Sequence, residues 1–196
     1  MAKTKEQLLN ILDQFQLDEK VVSAEPFGNG HINDTLKVTN EKGEIKYVLQ
    51  RINHLIFTNV DMLQNNIHVV TTHIRKKLEE KGETDIDRKV LTFLPTKDGK
   101  KYYFDGDSYW RVCLFIPRSK SYEEVTPELS YEAGKAFGDF QTMLSDIPEG
   151  TLGETIPDFH NMEFRLKQLR DAVATNAAGR VAEVQYYLDE IEKRAD

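Results

Sequence analysis

Cysteine, net positive charge and long apolar runs are the scarce features of this chain. A single cysteine, Cys113, excludes an internal disulfide, and no Cys/His cluster carries zinc spacing. Acidic residues outnumber basic ones by 33 to 26, which leaves a net charge of −7 with no basic stripe. That balance speaks against a nucleic-acid backbone as the main partner. No apolar stretch approaches the length of a membrane span, and the segment after Met1 is polar and amphipathic rather than a signal core. The expected location is therefore cytoplasmic. What is present suits a folded globular chain: 39% hydrophobic and 30% charged residues over 196 positions, enough for one large domain or two small lobes.

The stretch that organises the rest is VVSAEPFGNGHINDTLKVTNEKGEIKYVLQRI, residues 21–52. Strand-like runs at 21–27 and 34–39 flank the loop Gly28-Asn29-Gly30-His31-Ile32-Asn33, and a turn with Gly43 leads to a third run at 46–52 that holds Arg51. Glycines in such a hairpin let backbone N–H groups approach a phosphate chain, and a strand-borne cation neutralises it. The same Gly-Asn-Gly also suits a plain hairpin turn. Alternation with a period of two puts Tyr47, Leu49 and Arg51 on one face of the third strand. Arg51 then points either under the glycine loop or wholly away from it.

Around this stretch the pattern predicts an α+β chain. Thr4 caps a helix over 5–15, and Asn59 or Asp61 caps a long helix to about Glu80, stopped by Gly82. Further strand-like runs at 89–94, 101–104 and 109–116 are punctuated by Lys97-Asp98-Gly99-Lys100 and Asp105-Gly106-Asp107, as in an antiparallel meander. After Pro117 the pattern turns helical: Thr126 with Pro127 starts a helix over 128–144, and two more follow at 162–175 and 179–194. Cys113 reads as a small buried hydrophobe, Trp110 as sheet packing, and His54, His68 and His73 as surface or helix-packing residues.

Five segments in order, FGNGHINDTLKV, YVLQRIN, YWRVCLFIP, AGKAFGDFQTML and TIPDFHNMEFRL, resemble the aminoglycoside phosphotransferase-like family, in particular its bacterial N-acetylhexosamine 1-kinase branch. The resemblance covers nearly the whole chain. It implies a protein-kinase-like fold, with an antiparallel-sheet nucleotide-binding lobe at 1–116 and the first helices of a helical second lobe at 117–196. It also implies ATP and Mg2+ as cofactors and transfer of the γ-phosphate to a sugar hydroxyl. Another acceptor, such as homoserine, choline or an aminoglycoside, and a non-catalytic nucleotide-binding module are the alternatives.

Carried over residue by residue, Gly28, Asn29, Gly30, His31 and Asn33 resemble the phosphate-covering hairpin. His31 or Asn33 would reach a phosphate oxygen, or stand as exposed polar residues of a turn. Arg51 falls where relatives carry the strand cation, and its fork can grip two phosphate oxygens. Phe115 and Ile116 resemble the hinge that meets adenine, a role compatible with a plain core strand. Asp158, His160 and Arg165 resemble the acceptor side, with a structured loop and helix start as the other reading. The helix position that usually pairs the strand cation through a Glu holds Asn65, which supplies no charge.

The catalytic loop of the family, a His-Gly-Asp-type run with Asn five residues on, does not occur before Asp196, nor does the later magnesium-binding Asp. Asp139 and Asp171 lie inside helical patterns and are not candidates for the base. The expectation is thus the N-terminal part of a longer kinase, inactive alone, with exposed helix faces that favour self-association.

Overall fold

The computed structural model describes residues 3–28, 30–122 and 124–195. Its chain divides into two compact units, Met1–Thr155 and Ile156–Asp196, so the segment break expected at 116 lies inside the first unit. The first unit is α+β, with a six-stranded antiparallel sheet.

Helix α1 (Lys5–Leu12) opens on a capping box: the Thr4 hydroxyl accepts from Gln7 N–H while the Gln7 side chain accepts from Thr4 N–H. Strands β1 (Val21–Pro26), β2 (Asp34–Asn40) and β3 (Ile45–Ile52) follow, then the long helix α2 (Val60–Glu80), capped by the Asn59 side chain. Strands β4 (Phe93–Leu94), β5 (Tyr103–Phe104) and β6 (Tyr109–Leu114) complete the sheet in the order β1-β2-β3-β6-β4, with β5 also on β6. Helix α3 (Pro127–Leu144) closes the first unit, capped by Thr126 with Pro127 at its first position.

Four expectations are corrected. The run at 89–94 is not a strand throughout: a 3-10 turn at Ile86–Arg88 precedes it, and Val90 packs with Ile74 and Leu78 of α2 instead of pairing in the sheet. At 101–104 only Tyr103 and Phe104 pair, because Lys101 and Tyr102 turn to α2, where they donate to Asn65 and Asp61. The last three strands form no meander. β4 pairs with Val112 and Cys113 and β5 with Tyr109 and Trp110, so two short strands share one long partner. Helix α1 also ends at Leu12, after which Phe15 bridges to Thr96.

The core lies on one face of the sheet. Leu8, Ile11, Leu12 and Phe15 pack from the α1 side against Leu36, Val38, Tyr47, Leu49, Trp110 and Val112. These positions alternate along their strands with Lys37, Val48, Gln50, Arg111 and Cys113, which belong to the opposite face. Cys113 is buried there as expected, and burial pushes its thiol up to about 11.

The second unit holds α4 (Met162–Thr175) and α5 (Gln185–Glu192), the latter preceded by a 3-10 turn at Val181–Val184 where one continuous helix was expected. An Arg170–Glu192 pair, 2.9 Å from Nε to Oε1, joins the two helices. The described residues contain no helix long and apolar enough to cross a membrane.

Burial differs sharply along the chain. Phe15 is 1% exposed, whereas Phe137 on α3 is 70% exposed. Phe15→Ala should cost about 3–5 kcal/mol in urea unfolding, and Phe137→Ala within about 0.5 kcal/mol of zero. Equal losses at the two sites would contradict this placement of the core.

Candidate functional site

The hairpin between β1 and β2 is built by local chemistry. Gly28 has φ +81°, a conformation that other residues adopt only with strain, and no atom lies within 4 Å of where its Cβ would stand. Gly30 also faces open space. Asn29 lies outside the described residues. His31 is exposed. Asn33 is committed by its side-chain oxygen, which accepts from Asn53 N–H at 3.0 Å and so ties the hairpin to the exit of β3.

Arg51 stands opposite Asp34 in the β2–β3 register, and its Nε–H donates to Asp34 Oδ2 at 2.6 Å while Nη2 pairs with the same carboxylate. Arg51, Gly28, Gly30 and Asn33 line one cavity of about 720 Å³, with Lys5 and Trp110 among its other walls. That cavity opens on the α1 side, since Arg51 continues the Tyr47–Leu49 parity and pairs across the sheet with Trp110.

Asn65, at the α2 position that usually pairs the strand cation, does not bond this guanidinium. Asn65 accepts from Lys101 Nζ at 3.0 Å, and Arg51 takes its partner from β2.

The hinge residues lie at the other end of β6. Phe115 N–H donates to Lys46 O at 2.9 Å, and Ile116 O accepts from the Ser119 hydroxyl at 3.1 Å. The Phe115 ring meets Phe27, at the base of the glycine hairpin, edge-on with centroids 5.9 Å apart. One contact thus joins the segment proposed for phosphate to the segment proposed for adenine.

Sequence reasoning passed over the polar row on the face away from α1. Gln50 Nε2 donates to Thr35 Oγ1 at 3.0 Å, and Gln50 Oε1 accepts from Arg111 Nε–H at 3.0 Å. The Arg111 guanidinium lies 5.3 Å from the Phe93 ring centroid. The available signal was an arginine set in the middle of the apolar run YWRVCLF, one residue out of phase with Trp110 and Val112.

The candidate acceptor residues belong to the second unit. Asp158 has φ +57° and accepts from Asn161 Nδ2 at 2.9 Å, and the His160 ring stands edge-on to Phe159. Arg165 donates to Phe159 O and Gln168 Oε1 and stacks on the Phe159 and Phe164 rings. These contacts hold the start of α4 together, with the cap Asn161 accepting from Phe164 N–H. Asp171 pairs with Lys167 one turn away and Asp139 lies within α3. His73 meets Asp146 at 2.9 Å, a pairing its sequence position did not announce. Among the described residues no group of three His, Cys, Asp or Glu side chains is arranged to hold a metal.

No protein-family model matches the chain.

Beside the cavity, Asp105 is a densely satisfied carboxylate. It accepts from Asp107 and Ser108 N–H, from Trp110 Nε1 at 2.9 Å and from Lys3 Nζ at 2.8 Å. Burial opposes its charge, but the Lys3 ammonium and these N–H groups outweigh it and hold the carboxyl at about 2 instead of 3.8. A carboxyl held low when folded stabilises fully above its unfolded value, and that stabilisation fades as the pH falls through its folded one. Wild type should therefore lose stability between about pH 4 and pH 2. Asp105→Asn should be less stable at pH 7 and show a flatter decline in that window, read by fluorescence of the sole tryptophan, Trp110. Parallel declines in the two proteins would rule out this role.

Proposed function

We propose that this chain supplies the nucleotide-binding lobe of a small-molecule phosphotransferase that moves the γ-phosphate of ATP to a sugar hydroxyl, in the manner of N-acetylhexosamine 1-kinases. The observation that carries the reading is the 5.9 Å contact between Phe27 and Phe115, which unites a glycine hairpin with the segment after the central strand. Element order supports it as well: hairpin, third strand, capped long helix, then an inner strand that ends at Leu114.

On this reading the adenine packs near Phe115 and Ile116, where apolar side chains contribute stacking and backbone groups give orientation. Gly28 and Gly30 let hairpin N–H groups approach the phosphates, and Arg51, held by Asp34, closes the hairpin from the α1 side. Mg2+ bound with ATP would neutralise the phosphates during transfer. Asp158 and His160 offer hydrogen bonds to an acceptor's hydroxyls, and Arg165 shapes the loop that carries them. The chain contributes no general base in this scheme, so N-acetylglucosamine should remain unphosphorylated when it is the sole protein present.

Calorimetric titration with ATP, adenosine and inorganic triphosphate tests the nucleotide role. ATP should bind with the highest affinity, and Phe115→Ala should weaken ATP and adenosine together by roughly tenfold while leaving triphosphate unaffected. No heat from any of the three at about 1 mM ligand would remove the proposal.

A further inference from the structure

The sheet holds a second arginine beside the hairpin, facing the other way. Arg111 occupies the centre of β6, opposite Gln50 of β3 and on the same face as Cys113. Three side chains on neighbouring strands form a row across this face: Thr35 on β2, Gln50 on β3 and Arg111 on β6. The row is directional. Gln50 spends its amide N–H on Thr35 and its oxygen on Arg111 Nε–H, so the guanidinium is held at one edge.

The fork is poorly satisfied. Arg111 Nη1 is buried with no hydrogen-bond partner, and among the described residues no carboxylate pairs with the residue. The Phe93 ring covers one side of the guanidinium at 5.3 Å and offers it a cation–π contact, which does not replace an anion. Burial also lowers the Arg111 pKa from its ordinary value, the mark of a cation without a compensating charge. The residue as a whole keeps part of its surface exposed. Arg51 offers the opposite case: its charge is already met by Asp34 on the α1 face.

We infer that Arg111, tethered through Gln50 and Thr35, is the anion-binding cation of this lobe and takes a phosphate oxygen of the bound nucleotide on the face of the sheet away from α1. Phe115, one residue past the end of β6 and bonded to Lys46 O, continues the Arg111–Cys113 parity, so the group proposed for adenine and the guanidinium share a face. The inference rests on the nucleotide reading and deepens it. Arg51 becomes a residue that braces the hairpin, and Arg111 one that discriminates ATP from adenosine.

The test compares ATP and adenosine titrations of the full chain as wild type, Arg111→Met, Arg111→Lys and Arg51→Ala. Wild type should prefer ATP over adenosine by roughly ten- to hundredfold. Arg111→Met should remove most of that preference while adenosine affinity stays put. Arg111→Lys should restore part of it, since it returns charge without the fork. Arg51→Ala, which loosens the hairpin through Asp34, should cost less of that preference than Arg111→Met does. A thermal scan without nucleotide controls for folding: an unpaired buried cation replaced by Met should melt at or above the wild-type temperature. If Arg111→Met does not fold, Gln50→Leu, which frees the tether and keeps the charge, should cut the ATP preference severalfold. An unchanged ATP-to-adenosine ratio in Arg111→Met, or in Gln50→Leu in its place, overturns the inference and leaves the nucleotide reading standing. Absence of binding by both ligands to wild type overturns the two together.

Discussion

The two-residue alternation of β3 against β6 governs everything built on this sheet. Arg51 lies across from Trp110, Gln50 from Arg111 and Leu49 from Val112. Because α1 seals Leu49, Val112 and Trp110 from water, that register cannot slip by one residue without moving the core to the other side. The same constraint fixes where the charges go. Arg51 is committed to the α1 side and Arg111 to its reverse, although the two arginines sit on adjacent strands.

Much of this was written in the residues. Capping signals at Thr4, Asn59 and Thr126 were legible because a hydroxyl or amide before an apolar periodic run has one efficient use, the first N–H groups of a helix. The hairpin and third strand were legible because Gly43 and the glycine loop bracket runs rich in β-branched residues. The face shared by Tyr47, Leu49 and Arg51 followed from parity alone. The segment 89–104 was harder to read. Its Val90 and Leu94 suit a strand by composition, but long-range competition decided the outcome, with Val90 drawn to α2 and Tyr102 to Asp61.

The site was legible in parts and opaque in its wiring. Glycines near a hairpin tip suggest close approach whatever surrounds them, and Gly28 has the backbone angle that requires one. Which face an arginine serves depends on where α1 docks, and a local pattern does not encode docking. A Glu on the long helix would have pointed to a cation within its reach. Asn65 removed that pointer, and the amide's partner turned out to be Lys101, from the strand connection. In the second unit, Arg165 looked like a ligand for hydroxyls, but its hydrogen bonds and ring contacts bind it to Phe159, Phe164 and Gln168.

Charge satisfaction separates the two arginines more sharply than position does. A guanidinium already in contact with a carboxylate offers a phosphate little, because the incoming anion must displace Asp34 or share the cation with it. An exposed pair of that kind is also worth little to stability, so its main effect is to fix geometry at the hairpin. A guanidinium half-removed from water with an unpartnered N–H is different, since the desolvation is spent on folding and an arriving anion recovers it. Gln50 strengthens the asymmetry, because an amide can orient an arginine without neutralising it. A sheet that orients one cation without neutralising it, while quenching its neighbour, has the electrostatic form of a site for a charged ligand on one face and of a brace on the other.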